Sequence, residues 1–175
     1  MKYAVLFCLI ILSCTDDRPL NYEDLEARPV FEFNVFQTRY SASLINAGNQ
    51  SVPVPNSLRD FVDLDFFNED FNENLVSLEF KFLAENSIDR IQQLDFIFYD
   101  ANARETFRIS EPIAAGAEGN PSTQEFSVVL NPLEIAQITS SVRAELLINQ
   151  ASSATNSGEM RLECIVEAGY LFSAE

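Results

Sequence analysis

The stretch LVSLEFKFL, Leu75 to Leu83, decides the fold. Leu78, Phe80 and Phe82 fall on one side of an extended chain, and Ser77, Glu79 and Lys81 on the other. Successive side chains of a strand point to opposite faces, so this period of two describes a strand with one face in a core and the other in water. The same text recurs on both sides of it. Upstream, Val30 to Phe36 alternates with Phe31, Phe33 and Val35 against Glu32 and Asn34, and Tyr40, Ala42 and Leu44 predict a second strand over Thr38 to Ile45. Leu58 to Phe67 follows with Val62, Leu64 and Phe66 against Asp63, Asp65 and Phe67. Downstream, Ile91 to Tyr99 and the short run through Phe107 and Ile109 predict a hairpin turning at Asp100 to Arg104. Further strands carry Phe126, Val128 and Leu130, then Val142, Ala144, Leu146 and Ile148, and finally Met160, Leu162, Cys164, Val166 and Ala168.

Punctuation between these runs is equally plain. Asn46-Ala47-Gly48-Asn49 and the polar Asn68 to Asn74 are turns, and Pro53 with Pro55 bars a central strand. The segment Glu111 to Thr123, with Gly116, Gly119 and Pro121, predicts the longest loop, and Gln150 to Gly158 a small polar one. One helix interrupts the strands. Asn131 suits a cap, Pro132 the first helical position, and Glu134 sits where its side chain returns to the cap amide, which predicts a helix over Asn131 to Ile138. The expectation is an all-β chain: a single antiparallel β-sandwich, immunoglobulin-like in the broad sense, of eight or nine strands with one short helix. An up-and-down β-barrel is the alternative, because alternation alone does not say whether a sheet closes.

The first seventeen residues, MKYAVLFCLIILSCTDD, read differently. Lys2 precedes an unbroken apolar run from Tyr3 to Leu12, too short to span a bilayer and of the length of a secretory h-region. The ending Ile11-Leu12-Ser13-Cys14 resembles the lipobox of bacterial lipoproteins, in which the cysteine is lipidated and becomes the new N-terminus. Leu12 is larger than the residue usual at its place. The resemblance implies a signal peptide over 1–13, lipidation of Cys14, a lipidated N-terminus and acidic tether over 14–28, and a sandwich domain over 29–175. Asp16 and Asp17 behind the cysteine are similar to the surface-export signal of Bacteroidota lipoproteins, which implies lipid anchoring in the bacterial outer membrane, facing outward; a periplasm-facing attachment is the alternative. An ordinary cleaved signal peptide, or a short apolar strand belonging to the fold, is the competing reading of the same residues. The tether TDDRPLNYEDLEAR, if flexible, reaches about 20 Å. Its alternative is a short amphipathic helix using Leu20, Leu25 and Ala27.

Composition bounds the partners. Without Lys2, the 11 basic residues become 10 against 27 acidic ones, a net charge of −17 in place of −16. So acidic a surface repels phosphate backbones and anionic headgroups, which excludes nucleic acid. Cys8 leaves with the signal and Cys14 carries lipid, so Cys164 has no disulfide partner and reads as a buried thiol in a strand.

The chain has no histidine, which removes the usual general base and the commonest metal ligand. No glycine-rich phosphate loop appears. Two carboxylates suffice for glycoside hydrolysis, but among 27 some pair at a suitable separation is inevitable. No catalytic residue and no metal ligand is assigned. The densest acidic cluster, DLDFFNEDFNEN, is where calcium would bind, at Asp63, Asp65 and Asp70, although its spacing matches no EF-hand and a solvated strand and turn explain it equally. In the same stretch Phe66, Phe67 and Phe71 do not fit one core: either a bulge occurs at Phe67 or one phenylalanine is exposed, the alternative being a second small cluster beneath the turn. The expected function is a non-enzymatic, lipid-anchored envelope module that binds a protein partner, beside an outer-membrane β-barrel. The alternative is a carbohydrate-binding lipoprotein of a glycan-uptake system.

Overall fold

The computed structural model describes residues 26–47, 57–64, 69–150 and 157–173, apart from the side chains at 69 and 70. Eight strands form two antiparallel four-stranded sheets. The front sheet has the order β2-β9-β4-β7, from Val30–Ser41 (β2), Glu159–Tyr170 (β9), Leu75–Asn86 (β4) and Ser122–Val129 (β7). The back sheet has the order β3-β8-β5-β6, from Ser57–Asp63 (β3), Arg143–Gln150 (β8), Gln92–Tyr99 (β5) and Glu105–Ile113 (β6). Separately, Glu26–Ala27 (β1) and Phe172–Ser173 (β10) pair as a two-residue antiparallel ladder.

The pairings are nested: β5 with β6, β4 with β7, β3 with β8 and β2 with β9. The chain is one long hairpin folded over, and every connection but β5–β6 crosses between sheets. This is the connectivity of an eight-stranded jelly roll. The sandwich expected from the alternation is present, and the barrel is not: β2, β7, β3 and β6 are sheet edges.

Leu78, Phe80, Phe82 and Ala84 of β4 face Leu94, Phe96 and Phe98 of β5 across the core, together with Met160, Leu162, Cys164 and Val166 of β9. Phe96 is the hub, its ring 4.7 Å from Phe98, 5.4 Å from Phe36, 6.1 Å from Phe82 and 6.2 Å from Phe80. The loops are tied by Asn86, whose side chain donates to the carbonyls of Arg90 (3.0 Å) and Ala114 (2.8 Å) and accepts from the amide of Ile88 (2.9 Å). Gly116 passes so close that a Cβ there would lie 1.8 Å from the carbonyl oxygen of Asn86.

Four expectations are corrected. Residues 30–45 are not two strands. One strand runs to Ser41 through a bulge between Asn34 and Phe36, and a helix, Ala42–Ala47 (α1), follows. The bulge switches the inward phase from Phe31 and Phe33 to Phe36 and Tyr40. In α1 the buried Ala42 and Ile45 are three apart, and Ser41 Oγ accepts from the amide of Leu44 (3.3 Å), so the residues read as alternating carry a helical face instead. The strand expected over Leu58 to Phe67 ends at Asp63. Strand β6 continues through Ile113 and β7 starts at Ser122, so the expected loop is shorter at both ends. Pro112 is tolerated there because β6 is an edge. A short helix, Glu69–Asn72 (α2), occupies part of the expected turn. The helix Pro132–Thr139 (α3) has the expected cap: Asn131 Oδ1 accepts from the amides of Leu133 (3.0 Å) and Glu134 (3.1 Å), and Glu134 Oε2 accepts from that of Asn131 (2.9 Å).

Candidate binding surface

Strand β2 is an edge of the front sheet, and its first half exposes three apolar side chains: Val30 (58%), Phe31 (48%) and Phe33 (36%). Before the bulge the phenylalanines point to the core side of the sheet, yet they lie at its end, where few residues cover them. They meet a small aromatic cluster. Phe31 lies 5.7 Å from Tyr170, Phe33 5.6 Å from Phe71, and Phe71 5.9 Å from Tyr170. Only Tyr170 of the four is buried, and burial pushes its hydroxyl above the ordinary tyrosine range. Val76, at the bulge of β4, is also exposed. Exposed rings beside an open strand edge make a surface suited to a protein contact: apolar area to bury, and backbone groups to extend a sheet.

The outer face of the front sheet is acidic. Of three depressions there, one of about 500 Å³ shares Glu85 and Arg161 with a neighbour of about 650 Å³, and Leu83 and Glu163 with another of about 660 Å³. Arg161 binds Glu159 (3.1 Å) and Glu85 (3.7 Å), while Lys81 binds Glu167, which raises the lysine pKa. Among the described residues, no group of three acidic or cysteine side chains is placed to hold a metal ion.

The outer face of the back sheet differs. Its outward Glu145 and Asp95 are buried under their neighbours. Glu145 accepts from the Tyr99 hydroxyl (2.8 Å) and pairs with Arg59 Nε (3.2 Å), and burial together with that carboxylate raises the Tyr99 pKa. Asp95 accepts from Ser110 Oγ and lies 3.7 Å from Arg108, which also binds Glu105 (2.7 Å) and lowers its pKa. Arg143 stacks between two rings, 4.8 Å from the centre of Phe61 and 5.8 Å from that of Tyr99.

The sequence-assigned residues are placed as follows. Cys14 and the whole segment 1–25 lie outside the described residues, as do Phe66, Phe67, Asp65 and the side chain of Asp70. Asp63 is exposed on the outer face of β3. Phe71 packs against the core and lies beside Phe33. Cys164 is a free, fully buried thiol whose pKa burial raises. Sequence reading assigned Phe31 and Phe33 to the core and passed over Phe61, Arg143 and Glu145. The alternation marked Arg143 and Glu145 as outward, but nothing in it signals that Glu145 is covered.

No family model and no curated protein matches the chain. Some solved structures do. A Parabacteroides distasonis protein provisionally described as secreted aligns over 63% of this chain and 36% of its own, at 9% identity and a TM-score of 0.48. The enzymatically active domain of tailspike protein 4 from bacteriophage CBA120 aligns over 83% and 20%, at 15% identity and 0.39. The VP2 subviral particle of infectious bursal disease virus aligns over 82% and 32%, at 11% identity and 0.41. This chain therefore spans little more than a third, or less, of the length of these chains, and none of the three bears on what it binds. Among the described residues no helix is long and apolar enough to cross a membrane.

Proposed function

We propose that this chain is a non-enzymatic, lipid-anchored protein of the bacterial envelope, held at the outer membrane through Cys14, whose sandwich docks on another protein through the aromatic end of β2. One observation carries the reading: Val30, Phe31 and Phe33 stand exposed in sequence on a sheet edge. The lipobox-like ending at Cys14 supports the anchor. Val30 lies two residues beyond the expected tether of 14–28, so β2 is the strand of the sandwich nearest the anchor along the chain. A neighbouring outer-membrane β-barrel is the partner that fits such a position. The acidic surface supports a role without nucleic acid, and the missing histidine removes the usual general base.

The test is purification from the native membrane in mild detergent, with co-purifying proteins identified by mass spectrometry. A stoichiometric partner is expected with the unaltered protein. It disappears in Cys14→Ala and in the double variant Phe31→Ser, Phe33→Ser. Arrival of the intact protein alone, or a partner that the double variant keeps, overturns the proposal.

A further inference from the structure

Three outward side chains of the edge strand β3 form a row on the back sheet: Arg59, Phe61 and Asp63. Side chains two apart on a strand stand roughly 7 Å from each other. An aromatic ring is thus flanked at equal distances by a cationic donor and an anionic acceptor. Each member is prepared for contact. Phe61 is 49% exposed, and Arg143 covers one of its faces at 4.8 Å, which fixes the ring and leaves the other face open. Glu145 pairs with Arg59 through Nε, and the two terminal nitrogens of that guanidinium make no hydrogen bond among the described residues. Asp63 likewise has no hydrogen bond or ion pair among them. Beneath the row, Glu145 is buried and its Oε1 accepts no hydrogen bond, although the ion pair to Arg59 reaches it. Burying a carboxylate so incompletely satisfied costs stability, and what it secures here is the orientation of Arg59 and Tyr99.

We infer that the Arg59, Phe61 and Asp63 row is a saccharide-binding site, taking the apolar face of a neutral pyranose ring on the open face of Phe61. Ring hydroxyls on one side accept from Arg59, and those on the other donate to Asp63. The ligand is neutral because the net charge of −16 repels acidic sugars. The inference is independent of the protein contact at β2.

Affinity electrophoresis of the detergent-purified protein through gels containing yeast mannan, hydroxyethylcellulose or arabinogalactan tests it. Retardation by at least one of these neutral polymers is expected. Phe61→Ala weakens it about tenfold, Phe61→Tyr retains it, and Arg39→Ala, on the other sheet, leaves it unchanged. Retardation by none of them, or equal retardation of Phe61→Ala, overturns the site. The Phe31 and Phe33 double variant keeps full retardation, so failure here and failure of the β2 contact are separable.

Discussion

Cys164 makes stability depend on alkaline pH in a way that a single substitution removes. Its thiol lies on the inward face of β9, fully buried, with Phe36 and Phe82 as its cross-strand neighbours. Burial disfavours the thiolate and raises the pKa, whereas the unfolded thiol titrates at about 8.5. A group raised in the folded state contributes stability that is complete below its unfolded pKa and is lost as pH rises above it. At about pH 10 the unfolded chain gains about 2 kcal/mol from an ionisation denied to the folded one. Cys164→Ala abolishes that term and leaves a packing loss that does not vary with pH. Tyr40, Tyr99 and Tyr170 are also raised by burial, but they are common to both proteins and cancel in the comparison. Urea unfolding from about pH 7 to about pH 10, on chains beginning at Thr15 and kept reduced, measures the difference. The advantage of the unaltered protein over Cys164→Ala should shrink by about 2 kcal/mol across that range. Parallel curves would show that the folded thiol ionises at its ordinary pH and would refute the burial argument.

Two further pairs of substitutions test the packing account. Asn131→Ala removes both bonds that the Asn131 side chain makes in the α3 cap and should cost about 1 kcal/mol, a fall of about 2–4 °C in the melting temperature, with Glu134→Gln nearly neutral because its amide oxygen still accepts from the Asn131 amide. Phe96→Ala empties the hub of the core and should cost about 3–5 kcal/mol in urea unfolding, against less than about 1 kcal/mol for Phe31→Ala at the exposed end of β2.

Much of the sandwich is legible in the sequence because burial on one face imposes a period of two on β4, β5, β8 and β9, and the cap at Asn131 is a local device written in three residues. Legibility ends where another period fits the same letters. Tyr40 and Ala42 alternate, yet Ala42 and Ile45 also lie three apart, and the helix is favoured because Ser41 caps it and both apolar residues reach the core. The bulge in β2 is invisible for a related reason: Phe31, Phe33 and Val35 keep perfect alternation while the strand changes face beyond them. The candidate surfaces are less legible still. Whether Phe31 is covered, or whether Arg143 finds Phe61 and Tyr99, depends on strands far apart in the chain. The nested jelly-roll pairing that brings them together leaves no local mark.

The most direct test of the proposed contact is a photo-crosslinking side chain placed at Phe31 in living cells, with the same group at Ser127 on the opposite edge of the front sheet as the control. The account predicts one discrete crosslinked species from position 31, absent at position 127 and lost when Cys14 is replaced by alanine. No discrete species from position 31, or the same species from both positions, would contradict it.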